Sequence, residues 1–517
     1  MPQILYVILL SVVVIIQIDA ATILAVYPTP SISHQIVFRP FTLELVKRGH
    51  EVVVLTTDPI YNKSEAPVNL TEIDVHDISY DIWYKEKEAS NIIKGNINDI
   101  IPQMRVMYGA YLKFLEKLLR HKEVQKIINR KKKFDLLIHE ALCTPVLIFS
   151  HILNVPAIQI SSFGVVYDVL DIIGAPTHPL LYPIPVQQKI YDLTIWDKLK
   201  QLYIFYQIVK ITQNFEIGSD AVLQKVIGAK IPKLKDLKKN VEVVFLNIYP
   251  FWDMNRPAPP NLIYLGGLHQ QPEKKLPHHL KTYLDSSTNG VIYVSFGTNI
   301  EPTSLPPHKI QILINVFSKL KHNILWKWNK DELPGRSENI KISKWFPQAD
   351  ILRHPKVKLF ITQGGLQSTD EAITGEVPLI GIPMFADQWY NVEQYVHHGI
   401  GVRVDMETIN EYKFRNAIKE ILNNDSYRRN IVRLKNIIQD RPQSSLERAV
   451  WWTEYVIRHG GAKHLRSPAA NMSWTEYLEL ELIFYLLTTC LTITALVIYT
   501  VYRILGRKKI KGKLKSK

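Results

Sequence analysis

The sequence predicts two α/β domains, each built on a parallel sheet and facing the other across a cleft, followed by a single C-terminal transmembrane helix. Three observations predict it. A strand–helix–strand unit opens the chain at Thr22, a second α/β series starts at Val291 beyond a Pro-rich stretch, and Leu482 to Tyr502 carries no charge. At 517 residues the chain is too long for one ordinary core. Its 46% hydrophobic and 21% charged composition is that of a globular protein and argues against general disorder.

The first unit reads from the residues. Ile23-Leu24-Ala25-Val26-Tyr27 is an apolar strand, Pro28 to Ser33 a turn, and a helix runs from about His34 to Arg48. Gly49 stops it, and Glu51-Val52-Val53-Val54-Leu55 returns as a parallel neighbour. Phe134 to Ile138 and Ala157 to Ile160 extend the same sheet, whereas Ser162 to Ile217 is rich in aromatics, Ile and Pro and poor in strand signals. Such a stretch suits core or a lid, and it also suits the lining of an apolar pocket or a surface resting on a membrane. The Pro-rich run from Pro250 to Pro260 and the polar segment from Gln270 to Asn289 mark a linker, set at 256–289. The expected domains are therefore 21–255 and 290–440, with residues 441–475 forming helices that pack back on the first. Two such domains place a ligand between them, at the carboxyl ends of the strands.

The two ends set the compartment. Residues 1–20 read as a secretory signal, with an apolar run from Ile4 to Ile16 and a small Ala20 before the cleavage point, although no Lys or Arg precedes the run. Residues 482–502 make about 31 Å of helix at 1.5 Å per residue, enough to span a bilayer. Glu476, Glu479 and Glu481 precede it, and eight basic residues lie in the tail 503–517. That asymmetry predicts a type I protein with a cytosolic tail and lumenal domains. The lysines third and fifth from the end, Lys515 and Lys513, suit retrieval to the endoplasmic reticulum membrane, and a basic flank on anionic lipid has the same composition. The tail also explains most of the net charge of +15: only +7 remains on the other 502 residues, with no basic stripe for nucleic acid. Cys143 is lumenal and Cys490 lies inside the span, so no disulfide is expected between them. Sequons at Asn62, Asn69, Asn424 and Asn471 are glycosylation candidates.

The chemistry concentrates between residues 345 and 388. Trp345-Phe346-Pro347-Gln348 is followed by Phe360-Ile361-Thr362-Gln363-Gly364-Gly365-Leu366-Gln367-Ser368-Thr369-Asp370-Glu371-Ala372, then Gly375-Glu376-Val377-Pro378 and Asp387-Gln388. A strand ends in two glycines and opens a helix there, so backbone N–H groups and the helix dipole favour an anion. This is neither the dinucleotide fingerprint nor a Walker loop, and a lone Gly-Gly would be weak evidence. Taken jointly, these residues resemble the signature of the UDP-glycosyltransferases, two-domain inverting enzymes that include the UDP-glucuronosyltransferases. The resemblance covers nearly the whole chain, through Arg448-Ala449-Val450-Trp451-Trp452 and Arg458 to Arg466 to the span and tail. The Gln-Gly-Gly-Leu-Gln-Ser version is similar to insect members.

The resemblance implies two Rossmann-like domains of the GT-B type and a role for each matching position. Trp345 is expected to stack on uracil and Gln348 to bond its edge. Glu371 is expected on the ribose hydroxyls, and Ser368 and the run from Ser295 through Gly297 to Thr298 on the diphosphate, near Gly365. Asp387 and Gln388 are expected on the donor sugar. Read singly, each has an ordinary structural explanation: a core aromatic for Trp345, a solvated first-turn carboxylate for Glu371. Gln363 departs from the family, which has His there; glutamine can donate an N–H but carries no charge. His34, at the start of the first helix, matches the family's catalytic base, and a helix N-terminus suits a neutral imidazole. Position alone would more often make a histidine structural. The family pairs this His with an Asp; here Glu140 stands at that place, Asp135 reads as structural, and His139 points to the opposite face of its strand.

No Asp-x-Asp triplet and no zinc spacing occurs, so neither a metal nor another cofactor is expected; the UDP-sugar is a co-substrate. The expected partners are a UDP-sugar, a small lipophilic acceptor and the membrane, and homo- or hetero-oligomers are compatible with the anchor. Glucose is favoured over glucuronic acid, whose carboxylate would want a dedicated cation. The alternative is a relative that binds nucleotide or apolar ligand without turnover, supported only by Gln363 and Glu140. One span does not make a transporter.

Overall fold

The computed structural model describes residues 20–90, 100–129 and 132–514. All of the expected signal segment but Ala20, and the end of the tail from Lys515, lie outside the described residues.

The first domain is a seven-stranded sheet in the order β3-β2-β1-β4-β5-β6-β7. Its strands are β1 (Thr22–Tyr27), β2 (Glu51–Thr56), β3 (Leu70–Asp74), β4 (Leu136–Glu140), β5 (Ala157–Ser161), β6 (Val241–Leu246) and β7 (Leu262–Tyr264). Every pairing is parallel. The central strands are buried almost throughout, and mainly apolar instead of alternating, because helices cover both faces of the sheet. Five of those helices matter for function: α1 (Ile32–Lys47), α2 (His76–Ser90), α3 (Ile100–Arg120) and, from the strand-poor region, the pair α4 (Tyr167–Ile173) and α5 (Ile195–Val226). Helix α5 starts at a capping box between Thr194 and Asp197, which satisfies its first free N–H groups.

The second domain is a six-stranded parallel sheet in the order β10-β9-β8-β11-β12-β13. It comprises β8 (Val291–Ser295), β9 (Asn323–Lys327), β10 (Ile340–Ser343), β11 (Val357–Thr362), β12 (Leu379–Gly381) and β13 (Gly401–Arg403). Helix α6 (Leu366–Thr374) follows β11 and α7 (Gln388–His397) follows β12. Strand order reverses between β1 and β4 in the first sheet and between β8 and β11 in the second. A crevice opens at the carboxyl ends of the strands at each such switch point.

The segment 256–289 does more than link. Its residues Leu262–Tyr264 form β7, the edge strand of the first sheet, so that domain runs past residue 255. A three-residue strand just after a Pro-rich stretch gives no periodic signal of its own. Just before it, Arg256 and Asp253 form an ion pair with both side chains fully buried. Arg256 also donates to the carbonyls of Pro176 and Tyr182, and the Tyr264 hydroxyl donates to Asp253. Removing one partner of such a pair leaves an uncompensated charge in the interior. Arg256→Leu is therefore expected to destabilise the protein by about 3–5 kcal/mol, read as a lowered thermal unfolding midpoint.

The domains touch closely. Trp252 Nε1 donates to Asn391 Oδ1 at 3.0 Å, and the Tyr390 hydroxyl donates to the Trp252 carbonyl at 2.8 Å. Helix α8 (Ser445–His459) returns to the first domain, where it packs on α1 and β6. Glu454 on α8 pairs with Arg48, and the Ala462 N–H donates to Glu242. After the short α9 (Trp474–Tyr477) comes α10 (Leu480–Leu514). Its residues Leu480–Gly506 have a mean hydropathy of 2.1 and none of that stretch is buried, so it is long and apolar enough to cross a membrane.

Candidate active site

A cavity of ≈ 530 Å³ lies between the domains, lined from both. Its chemistry is split in two. The wall from the first domain is mostly apolar, from Ile82, Met104, Met107, Phe163, Val166 and Ile208, and the wall from the second domain is polar.

At the first switch point, α1 begins immediately after the β1 turn. Ser31 has extended backbone as the N-cap, and His34 falls in the first helical turn with its side chain facing the cavity. Glu140 is the last residue of β4, the strand next to β1, so its carboxylate projects from the same crevice. His34 Nδ1 lies 2.5 Å from Glu140 Oε1, and the other carboxylate oxygen accepts the Thr29 N–H at 3.2 Å. Glu140 is fully buried, while the His34 ring keeps its edge open to the cavity beside Phe163. The imidazole is thus held by Nδ1, leaving Nε2 for the ligand. Its strand neighbours stand apart from this pair. His139 is fully buried on the opposite face, where burial pushes it down to about 4, and its Nδ1 meets the Glu140 carbonyl. Asp135 accepts the Thr22 N–H at the start of β1.

The second switch point gathers the other residues. Ser295 ends β8 and pairs with Thr362, the last residue of β11, so the loops beyond both strands converge. Gly297 has φ +76°, a backbone conformation that favours glycine, and a Cβ there would crowd the Gln363 amide. Gln363 is buried, and its Oε1 has no hydrogen-bond partner; the same holds for Thr298 Oγ1. Both residues line the cavity, and buried polar atoms without partners beside a cavity are suited to a ligand. Gly365 is the N-cap of α6, which aims its free N–H groups at the same space.

Gln348, Ser368 and Glu371 form one cluster: Gln348 Nε2 donates to Ser368 Oγ at 2.9 Å and to Glu371 Oε2 at 2.7 Å. Trp345 stands beside them, 59% exposed, an unusual state for so large a ring and one that leaves a face for stacking. Across the cavity, Asp387 immediately precedes α7, and its carboxylate accepts from Asn391 Nδ2 at 2.8 Å. Gln388 Oε1 accepts the N–H groups of Met384 and Phe385, which fixes its amide against the loop. Burial pushes the Asp387 carboxyl up to about 6, with the Asn391 hydrogen bond opposing that rise, and burial pushes Glu371 up to about 7 against the pull of Gln348.

A carboxyl raised on folding holds its proton more tightly in the folded state. Its stabilising contribution is complete below the ordinary carboxylate range and is lost as pH rises through about 7 for Glu371. Glu371→Gln is therefore expected to raise the thermal midpoint of the ligand-free protein at pH 8 and to change it little at pH 5.

Sequence reasoning missed Lys327. It is the last residue of β9, its Nζ lies 4.5 Å over the Trp345 ring, and it donates to the Gly297 carbonyl at 3.0 Å. Burial lowers its pKa to about 8, with no carboxylate among the causes. The available signal was a lysine closing a strand with an apolar middle, at the carboxyl edge where the crevice lies. Asn299 was missed too. Its Oδ1 accepts from Ser31 Oγ at 3.1 Å and its carbonyl from Lys87 on α2, which ties the β8 loop to the turn that carries His34.

Comparison with known proteins agrees with this architecture. Two solved structures superpose with a TM-score of 0.55: the glycotransferase of kitacinnamycin, 19% identical, and the spinosyn forosaminyltransferase SpnP, 15% identical. They cover 86% and 85% of this chain and all of their own, and show that the fold is the GT-B type. An ecdysteroid UDP-glucosyltransferase of Spodoptera littoralis nuclear polyhedrosis virus is 33% identical over 91% of this chain and 94% of its own length. UDP-glycosyltransferase UGT5 of Dactylopius coccus is 32% identical over 93% and 91%, and human UDP-glucuronosyltransferase 2B17 is 31% identical over 90% of each. The pattern of the family described as "UDP-glucoronosyl and UDP-glucosyl transferase" matches residues 22–516. The chain is a UDP-glycosyltransferase of that family.

Proposed function

We propose that the protein transfers glucose from UDP-glucose to a hydroxyl of a small lipophilic acceptor, with inversion, and that His34 is the general base. The observation that carries this reading is the His34–Glu140 contact at the rim shared by the apolar and the polar walls. The acceptor hydroxyl gives its proton to His34 Nε2 as its oxygen bonds to the anomeric carbon. The bond from that carbon to the β-phosphate oxygen breaks, and UDP leaves. Glu140 keeps the ring oriented and balances the charge it gains. Trp345, Gln348 and Glu371 would hold the uridine. The loop Ser295–Thr298, Gln363, Ser368 and the α6 N-terminus would hold the diphosphate, with Lys327 supplying the charge that Gln363 lacks.

Asp387 and Gln388 would take sugar hydroxyls. The cationic side chains of the cavity wall, Lys274, Lys327 and Arg353, all lie on the Trp345–Gln348 side, and the sugar end carries Asp387 instead. That distribution supports a neutral hexose over glucuronate, in keeping with the glucosyl-transferring relatives. The ecdysteroid named for the viral relatives makes polycyclic alcohols a reasonable first acceptor class. We place the enzyme in the endoplasmic reticulum membrane with both domains lumenal, glycosylated at the exposed Asn62 and Asn424. Asn69 suits this less, since its amide donates to the carbonyls of Val46 and His50, as does Asn471, which donates to Ile172.

A donor-by-acceptor screen on membranes containing the chain tests the reading. Product from UDP-glucose exceeding that from UDP-glucuronate is expected across phenols, flavonoids and steroid alcohols. The reverse ranking would overturn the donor assignment, and UDP binding without product on every acceptor would overturn transfer itself.

A further inference from the structure

Helix α5 has two apolar faces. One is internal: Ile204, Ile208, Ile211 and Phe215 are buried, with Phe215 stacked on Tyr108 of α3. The other is bare. Ile195, Trp196, Leu199, Leu202, Tyr203 and Tyr206 are all exposed, from 43% for Leu202 to 76% for Trp196. At 3.6 residues per turn these six fall within an arc of about 120°, opposite the buried face. Exposed Lys198 and Lys200 flank the arc and Lys210 continues it, its Nζ 5.7 Å from the Tyr206 ring. A contiguous patch of this kind on a folded domain marks an interaction surface.

Its position selects the partner. The segment leading to the apolar helix α10 is clamped on α4: the Asn471 N–H donates to the Asp171 carbonyl at 2.6 Å, and Ser467 bonds the Gly174 carbonyl. Trp474 of α9 stands beside the Tyr167 hydroxyl, and the Tyr167 ring meets Phe205 of α5 edge-on at 5.5 Å. These neighbours connect α5 to the point where α10 begins, and Trp474, Tyr477 and Leu478 add further exposed apolar surface there. Aromatic rings and leucines with lysines at their margin are the composition of a helix lying in the headgroup region of a bilayer.

We propose that the exposed face of α5 lies in the lumenal surface of the same membrane that α10 spans, so that the first domain is held against the lipid at two points. This rests on reading Leu480–Gly506 as a span. Because Ile208, on the opposite face of α5, lines the cavity, the helix would then form the wall between bilayer and acceptor site.

The test uses the full chain in phosphatidylcholine–phosphatidylserine vesicles, each variant carrying one thiol-attached, environment-sensitive fluorophore. Native Cys490 reports on the span, and Leu199→Cys and Tyr203→Cys, each with Cys490→Ser, report on α5; Cys143 is buried. Tyr412→Cys, also with Cys490→Ser and on an exposed site of the second domain, is the aqueous control. Blue-shifted emission and several-fold quenching by brominated lipid are expected at 490, 199 and 203, and neither at 412. Quenching at 490 with water-like emission at 199 and 203 would overturn the proposal while leaving the span intact. Absence of quenching at 490 would overturn the span reading instead. A blue shift at 199 and 203 that brominated lipid does not quench and that grows with protein concentration would show a second copy on this face, and would also overturn it.

Discussion

Replacing His34 by alanine is expected to lower kcat by about 10³-fold while leaving the affinity for UDP within about twofold of the parent, since general-base catalysis contributes about 10²–10⁴. The argument is one of separation. His34 belongs to the first domain and touches Glu140 and Phe163, whereas every residue placed on the uridine and diphosphate belongs to the second. The substitution removes a side chain at the cavity wall, so the fold loses little packing. It does leave the Glu140 carboxylate buried with only the Thr29 N–H, and a moderate drop in thermal midpoint should accompany the loss of turnover. Steady-state kinetics and UDP titration on the same preparation check both halves. Full turnover by the alanine variant would show that another group accepts the proton, and a large loss of UDP affinity would show that the imidazole acts on the donor.

The sequence made much of this arrangement legible, for physical reasons that also explain the gaps. Strands buried on both faces must be continuously apolar, so β1, β2, β4 and β8 stand out as runs of Val, Ile and Leu. Gly364-Gly365 before a helix and the run from Trp345 to Gln388 marked the polar wall of the cavity, because backbone approach to a ligand constrains residue type at fixed intervals. Short and pairwise features were hidden. Strand β7 has three residues and draws its identity from β6 beside it. Lys327 reads as an ordinary strand-end lysine until the fold sets it against Trp345 and Gly297. Asn299 acquires a role only through Ser31, which is 268 positions away. The two-faced character of α5 was equally obscure, since its buried and bare stripes together read as undivided hydrophobicity.

Glu140→Gln is expected to reduce kcat by about 10²–10³-fold with little change in KM for the donor, a larger effect than removing a single neutral hydrogen bond would give. The carboxylate has two acceptor oxygens here, one on His34 Nδ1 and one on the Thr29 N–H. A glutamine has one acceptor and one donor. If its oxygen stays on Thr29, its NH₂ faces Nδ1 and forces the tautomer that carries hydrogen on Nε2, which cannot take the acceptor's proton. If the amide flips, two N–H groups meet at Thr29 in a fully buried position, and the strand end is destabilised. Both outcomes lower kcat, and the thermal midpoint distinguishes them. Glu140→Asp separates charge from reach. It keeps both acceptors but withdraws them by one methylene from a contact of 2.5 Å, so activity between those of the parent and the glutamine variant is expected. Activity equal to the parent in the glutamine variant would mean that ring orientation is set by packing against Phe163, and that the carboxylate is dispensable. The geometry argues against that, because the His34–Phe163 contact is an edge at 5.7 Å and fixes no proton.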